Sequence, residues 1–529
     1  MGSAKCKLAG RPSFCTLHFT LVTFHCPRWP ASLAGIVVWA LTLVPVCDTY
    51  SVWGQTPASG LEAAAALEKA VVEAIARTER SVVAIARVRH ERPGDAWNVE
   101  VRPDPFGGRR LLPGPLPKPG DPDFVPNEFA TGVVVDRGGL VLTVHHALGE
   151  DSDYYVTTHD HKTFRAKIAG ADPRSDLAVL APDDNALARS GTLDWLPIAL
   201  GDAAGLRKGQ IVIALGNPYA LASQDGQASA SWGIVANLGR KAPPTPDESD
   251  LLGKTTIHHF GTLIQTDAKL NLGTSGGPLV NLHGEMVGLG TSLAAGPAYE
   301  QAAGYAIPVD ATFRRALEVL KQGREVEYGF LGIQLGLPEP DDASHGLLGT
   351  RVERVLPGLP AARHGIRPGD LITSVNGTPI RDSDGLVREV GKLPADATVR
   401  LVVLRGQRRL ELDVELTKYR VRGKKVVSMP PEGWRGMRVD YATAVYDLSS
   451  PGFGGSPLLG ETVAVSDVEK GTPAWEAGLR PGMLISHVGR TAVNTPRQFR
   501  QAVSAKTGPV DVRLATQSGE NPVRTIPAG

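Results

Sequence analysis

The 529-residue chain reads as mostly β with some α, divided among several domains. Three observations lead there. Gly (60) and Pro (41) are frequent and aromatic residues make up only 6 %, which favours many short strands and turns over long helices. From 130 to 310, short β-rich segments alternate with turns, the spacing of antiparallel barrels or a sandwich. The length suffices for three or four domains.

The first 54 residues stand apart. Lys5, Lys7, Arg11 and Arg28 precede an apolar run from Ala31 to Cys47, the arrangement of a charged and then an apolar region in an export leader. Val52 and Gly54 fit the −3 and −1 positions of a cleavage site before Gln55. A retained anchor and a buried helix are the alternatives, although Pro45 interrupts a run already short for a span. All four cysteines, Cys6, Cys15, Cys26 and Cys47, fall here. The rest of the chain therefore has no disulfide, thiolate metal site or cysteine nucleophile. A net charge of +1 without a long basic block argues against nucleic acid and anionic membrane surfaces as partners.

Residues 60–79 are alanine-rich, with Leu67, Val71 and Ile75 on one helical face. Ser81–Val88 reads as a strand. Residues 101–126 carry eight prolines and read as a long exposed loop without packed elements. The strand pattern continues through Gly132–Val135, Leu140–Thr143, Ile211–Leu215, Gly233–Val235 and Glu285–Leu289. Ala311–Gln322 forms a helix ending at Gly323, a domain boundary. Two later stretches, Val355–Ile372 and Val468–Ile485, share Gly-x-Pro-Ala-x-x-x-Gly-(Ile/Leu)-Arg-Pro-Gly. Two copies at that separation are a duplicated small domain, not a solenoid.

The chemistry concentrates at Gly273-Thr274-Ser275-Gly276-Gly277, a serine in a glycine turn followed by an apolar strand. Glycines let main-chain N–H groups converge on one point, as a nucleophilic serine requires for the oxyanion it generates. Upstream, Leu142-Thr143-Val144-His145-His146 places histidine after a strand, and Asp172-Pro173-Arg174-Ser175-Asp176 leads an acid into another. The order His, Asp, Ser is that of the chymotrypsin type. Other patterns fail. Gly253-Lys254-Thr255 lacks the first glycine of a phosphate loop, because Glu248 stands there. His258-His259 has no third ligand at metal spacing, and Gly452–Ser456 follows no strand. No metal or cofactor is expected.

With Ser175-Asp176-Leu177-Ala178, Ala214-Leu215-Gly216-Asn217-Pro218, Ser231-Trp232-Gly233-Ile234-Val235, Gln265-Thr266-Asp267-Ala268 and Tyr305-Ala306-Ile307-Pro308 in order, residues 80–420, and more loosely the remainder, resemble the HtrA/DegP family of trypsin-like serine proteases with C-terminal PDZ domains. The resemblance implies a double β-barrel chymotrypsin-like domain at 55–325, PDZ domains at 326–420 and 434–529, and a linker at 421–433. It assigns His146, three residues after Thr143, as base, Asp176 as the orienting acid and Ser275 as nucleophile, with the N–H groups of Gly273 and Ser275 as oxyanion hole. His145 has no assigned role; Asp172 reads as a turn residue, and Asp267 as structural. Where the family has Asn before the nucleophile, this chain has Thr274, whose side chain takes no part in the chemistry. Lys269 and Leu270 lie in the segment that walls the specificity pocket. Leu270 implies a shallow apolar pocket; Lys269 turned inward would imply an acidic preference, turned outward none. Phe330-Leu331-Gly332-Ile333 resembles the loop that receives a peptide carboxylate, with Leu386 and Val390 on a groove helix at Asp384–Leu393 facing in. Arg435-Gly436-Met437-Arg438 is the weaker counterpart. The family implies unfolded or damaged proteins as substrates, C-terminal peptides as regulators, homo-trimers or their multiples, and a location outside the cytoplasm. A chaperone or PDZ scaffold with little turnover is the alternative, and a protease dedicated to one partner a third.

Overall fold

The computed structural model describes residues 60–90, 99–103, 109–113, 126, 128–184, 195–217, 220, 222, 226–243, 254–291, 304–336, 348–448, 456 and 458–529. The leader reading, Pro218, Gly253 and Gly452–Gly455 lie outside them. Among the described residues no helix is long and apolar enough to cross a membrane.

A helix at Gly60–Thr78 leads into strand β1 (Val82–Arg89). There follow β2 (Val99–Pro103), β3 (Arg109–Pro113), β4 (Glu128–Val134), β5 (Val141–Val144), β6 (Ser152–Thr157), β7 (Thr163–Asp172) and β8 (Leu177–Pro182). Six of these close a barrel in the order β7-β6-β1-β4-β5-β8, with β8 returning to β7. The second barrel is built from β9 (Ile211–Gly216), β10 (Ser229–Arg240), β11 (Leu263–Thr266), β12 (Pro278–Val280), β13 (Met286–Thr291) and β14 (Gly304–Pro308), ordered β10-β11-β14-β13-β12-β9 and closed. The expected double barrel is present. Leu142, Val144, Leu177 and Val179 of the first barrel share a core with Ile213, Leu215, Val280 and Leu289 of the second. Each such side chain contributes about 1.5–3 kcal/mol by leaving water. The barrels therefore meet along one apolar seam, and loops at its ends are held in fixed relation.

The proline-rich stretch departs from expectation. Strands β2 and β3 pair antiparallel from Val99↔Pro113 to Pro103↔Arg109. Pro103 and Pro113 fall at the strand ends, where a missing N–H costs little ladder, and so a hairpin survives the proline density.

The helix at Ala311–Lys321 buries Phe313, Ala316, Leu317 and Leu320, at the spacing of one helical face. Its N-cap is Asp310, whose carboxylate accepts from the Phe313 N–H at 2.9 Å. Beyond it come β15 (Gly329–Phe330), β16 (Ile333–Gly336), β17 (Thr350–Val355), β18 (Leu371–Val375), β19 (Thr378–Pro379), β20 (Thr398–Arg405), β21 (Arg408–Glu415) and β22 (Thr417–Lys418). The main sheet is ordered β16-β17-β18-β20-β21, with β19 on β18. After β23 (Val426–Val427), the strands β24 (Met437–Tyr441), β25 (Val463–Val468), β26 (Leu484–Val488), β27 (Thr491–Ala492), β28 (Val510–Ala515) and β29 (Val523–Ile526) repeat that plan as β24-β25-β26-β28-β29, with β27 on β26. The duplication in the sequence is thus a duplication of topology.

The segment 421–433 between the two repeats carries a strand of its own. Strand β23 pairs antiparallel with β7, Val426 opposite Ala171 and Val427 opposite Gly170. The first repeat also docks on the second barrel. Lys241 and Lys254 reach Asp384 at 2.6 and 3.2 Å, and Arg388 donates to the Phe260 carbonyl at 3.1 Å.

Candidate active site

His146 sits in the 3-10 turn His145–Ala147 that ends β5, and Asp176 in the turn between β7 and β8. Strand β5 pairs with β8, Val144 opposite Leu177, so the two turns leave the barrel side by side. Asp176 takes φ +55°, a left-handed conformation that Asp tolerates better than most residues and that marks a constrained position. Its carboxylate is buried, and the His146 Nδ1 donates to it at 2.8 Å while the His146 backbone N–H donates to its Oδ1 at 3.0 Å. Thr291 Oγ1 adds a longer contact at 3.3 Å. Three donors on one buried carboxylate fix its orientation and, through it, the imidazole tautomer: Nδ1 carries a proton and Nε2 is left to accept one.

The electrostatics follow. Burial pushes the His146 pKa down, but the charge of Asp176 and its hydrogen bond outweigh burial and leave it above the ordinary histidine value. Burial pushes the Asp176 carboxyl up; the His146 charge and hydrogen bond, with a smaller effect from His258, bring it below the usual range. His258, buried beneath this turn, is held neutral by that burial, its Nε2 2.9 Å from the Ser175 carbonyl and Nδ1 2.6 Å from Thr262 Oγ1.

Ser275 comes from the second barrel, in the turn before β12. The two barrels are stitched at this point: the Thr131 N–H donates to the Ser275 carbonyl at 2.9 Å, and the Thr131 hydroxyl to the Gly273 carbonyl at 2.7 Å. Glycine is obligatory on both sides of the serine. Gly273 has φ +93°, and a Cβ there would lie 2.3 Å from the Asn217 carbonyl oxygen; Gly276 has φ +86°, and a Cβ there would lie 2.1 Å from that of Thr131. The N–H groups of Thr274, Gly276 and Gly277 are donated to Asn271, Gly290 and Thr274. Among the described residues, those of Gly273 and Ser275 are donated to no protein acceptor. Thr274 stabilises the turn by a second route, its hydroxyl donating to the Asn271 carbonyl at 2.6 Å.

The rival acids are occupied elsewhere. Asp172 accepts from the Ser175 N–H at 2.9 Å, from the Ser175 hydroxyl and from the buried Tyr328 hydroxyl. Asp267 accepts from the Ile234 N–H at 2.6 Å. Lys269 is exposed, while Leu270 leans over Gly304, where a Cβ would lie 2.7 Å from its Cδ1. No group of three metal-ligating side chains occurs among the described residues.

In the first repeat, Phe330, Leu331 and Ile333 line an apolar cavity with Leu386 and Val390 of the helix Ser383–Gly391. Arg174 and Tyr419 also line it, the Arg174 guanidinium lying 4.6 Å from the Tyr419 ring centre and 5.2 Å from that of Phe260. Arg174 belongs to the Asp176 turn, so cavity and turn share a residue that sequence reasoning did not single out. The loop is latched by Gly332 and Leu331 carbonyls, accepting from Leu356 and Ala361 N–H, both at 2.9 Å. In the second repeat the Gly436 and Arg435 carbonyls accept from Glu469 and Ala474 in the same pattern, at 2.8 and 3.2 Å. There Trp434 packs edge-on against Phe499 of the helix Pro496–Val503, with ring centres 6.0 Å apart.

Comparison with known proteins identifies the family. Residues 130–289 match the family model for a trypsin-like peptidase domain, and 329–416 match that for a PDZ domain. The chain is 30 % identical over 414 residues to a probable periplasmic serine endoprotease DegP-like of Pseudomonas fluorescens, covering 77 % of this chain and 81 % of that protein. It is 29 % identical over 449 residues to the periplasmic pH-dependent serine endoprotease DegQ of Escherichia coli, covering 82 % and 87 %. A solved HtrA-type protease, AlgW with a decapeptide, aligns with 67 % of this chain and 99 % of its own at 24 % identity and a TM-score of 0.46. The chain belongs to the HtrA/DegP family of trypsin-like serine endopeptidases carrying a PDZ domain.

Proposed function

We propose that Ser275, His146 and Asp176 are the nucleophile, base and orienting acid of this endopeptidase. The observations that carry the reading are the His146 Nδ1 hydrogen bond to the buried Asp176 carboxylate and a glycine turn, bonded to the first barrel at Thr131, in which the N–H groups of Gly273 and Ser275 have no acceptor among the described residues. Ser275 Oγ attacks the scissile carbonyl as Nε2 of His146 takes its proton. Asp176 stabilises the imidazolium, and the two N–H groups receive the oxyanion, where loss of one donor costs on the order of 10²–10³ in rate. His146 then returns the proton to the leaving amine. Leu270 over Gly304 supports a preference for small aliphatic residues before the cut, with Lys269 in solvent and outside the pocket.

The cavity between Phe330–Ile333 and Leu386 and Val390 receives the C-terminus of a peptide that adds as a strand beside β16. The second repeat has the PDZ plan as well. Its groove position is taken by Trp434 against Phe499, and Arg435, where the first repeat has Leu331, is spent on the carbonyls of Ile526, Pro527, Lys506 and Gly508. These contacts favour a scaffold role over peptide capture. Substrates are unfolded or damaged proteins, the compartment is the periplasm of the named relatives, and the assembly is a trimer or a multiple of one. Labelling the purified protein with a serine-directed fluorophosphonate, with and without C-terminal peptides, tests catalysis and control together. Labelling at Ser275 that rises with peptide is expected; none in either condition contradicts the reading.

A further inference from the structure

His145 takes no part in the proton transfer, yet it is tied at both ends. Its backbone N–H donates to the Asp176 carbonyl at 2.9 Å, and its Nε2 lies 2.9 Å from the carbonyl of Lys424. A carbonyl only accepts, so Nε2 carries the proton in this contact. Lys424 lies between the two repeats, in a segment seated along the first barrel. Besides the β23–β7 pairing, the Ser428 hydroxyl donates to the Ala169 carbonyl, and the Met429 N–H donates to that of Gly323 at 2.9 Å. Gly423, at φ +93°, passes so close to Pro173 that a Cβ would lie 3.2 Å from the proline Cβ. Lys425 pairs with Glu325 at 2.6 Å.

The seat matters because of where it lies. Strand β7 ends at Asp172 and runs directly into the turn that carries Asp176. The segment therefore touches both sides of the acid–base pair: the 172–176 turn through Gly423, with β23 on the strand that leads into it, and the 145–147 turn through His145. A solvated spacer would need neither a ladder with the barrel nor a main-chain carbonyl on a histidine ring. We propose that His145 is a positioning residue which, with the segment 421–428, sets the gap between the His146 turn and the Asp176 turn, so that the second repeat acts on turnover through its linker. The inference rests on the Ser275, His146 and Asp176 reading.

The test uses the full chain and a short chromogenic peptide. His145→Phe keeps a ring and deletes the donor; Gly423→Val places a side chain against Pro173. Each is expected to lower kcat by about tenfold to a hundredfold, as sub-ångström to ångström misplacement does. KM and the affinity of the first repeat for a C-terminal peptide stay at the parent's values. The acid limb of the kcat/KM profile moves to lower pH as the His146–Asp176 pairing slackens. His145→Gln, whose amide nitrogen falls near the place of Nε2, restores most of the loss. Parent kcat and an unmoved pH profile in both His145→Phe and Gly423→Val would overturn the inference. So would a loss that glutamine does not rescue and that leaves the acid limb in place, because that is general damage. Ser275→Ala is assayed beside them: turnover there at the parent's rate refutes the nucleophile assignment, and with it the inference that rests on it, whereas a fall in Ser275→Ala with parent kcat in both other variants refutes the inference alone.

Discussion

Asp176 is almost wholly removed from solvent, and three donors, from His146 twice and from Thr291, converge on its carboxylate. An isolated buried carboxylate would take up a proton; this one is kept ionised by the imidazole it serves. Asp176→Asn removes that charge and presents a donor to Nδ1, so the wrong tautomer is favoured. A fall in kcat of about 10⁴-fold is expected in a peptide-hydrolysis assay. Because Asp176 raises the His146 pKa, the neutral base is lost as pH falls through a value above the ordinary histidine figure of about 6.5. The kcat/KM profile should show its acid limb there, and an acid limb below that figure would contradict the pairing. The turn glycines obey sterics more than chemistry. Gly276→Ala drives a methyl group into the Thr131 carbonyl at a φ that alanine avoids, costing about 1–3 kcal/mol or more, to be read as a lowered Tm. Ser275, His146 and Asp176 could be proposed from the sequence because each sits in its own short motif, one of which is a glycine turn no core would require. The contacts of His258 and His145 were not legible there. Both histidine rings bond to main-chain carbonyls, which any residue supplies, and His145 meets its partner 279 positions away.

Elements were legible where periodicity was strong. The helix expected at 311–322 is found at Ala311–Lys321, and the groove helix expected at 384–393 is Ser383–Gly391. Both differences lie within the fraying of helix ends. The elements not anticipated, the two-stranded β2–β3 hairpin and the two-residue edge strand β23 of the first barrel's sheet, are stabilised by pairing partners and not by their own pattern. The groove helix gives the element-scale prediction. Val390 lines the apolar cavity and is buried, so Val390→Asp places a charge where a peptide's last side chain would go. Fluorescence anisotropy with a labelled C-terminal peptide should lose binding, while basal casein cleavage persists. Undiminished binding would move the peptide site elsewhere.

At the scale of the molecule, one buried cation joins three parts of the chain. Lys418 of β22 is nearly solvent-free and lies 3.0 Å from Glu325, 3.5 Å from Glu327 and 2.8 Å from Asp440. Burial alone would lower its pKa; the charges of Asp440, Glu325 and Glu327 more than reverse this and raise it. A raised lysine pKa contributes its full stability below the unfolded value of about 10.4 and loses it only as pH climbs through the folded value, so the latch is intact throughout the neutral range. Lys418→Met leaves three carboxylates facing one another and should cost about 3–5 kcal/mol. The loss should be larger at pH 8 than at pH 5, where protonation relieves the repulsion, and melting curves at the two pH values measure it. This latch, the β23 seat and the Asp384 contacts make the C-terminal half a fixed partner of the barrels. None of these contacts has a sequence signature, because ion pairs between distant segments leave no periodicity.

The central claim is that Ser275 is the nucleophile of an endopeptidase. Casein turnover by Ser275→Ala, measured against the parent together with peptide binding to the first repeat, tests it most directly. Turnover at least about 10⁴-fold below the parent with peptide binding retained is the predicted result. Casein cleavage by the variant at the parent's rate would contradict it.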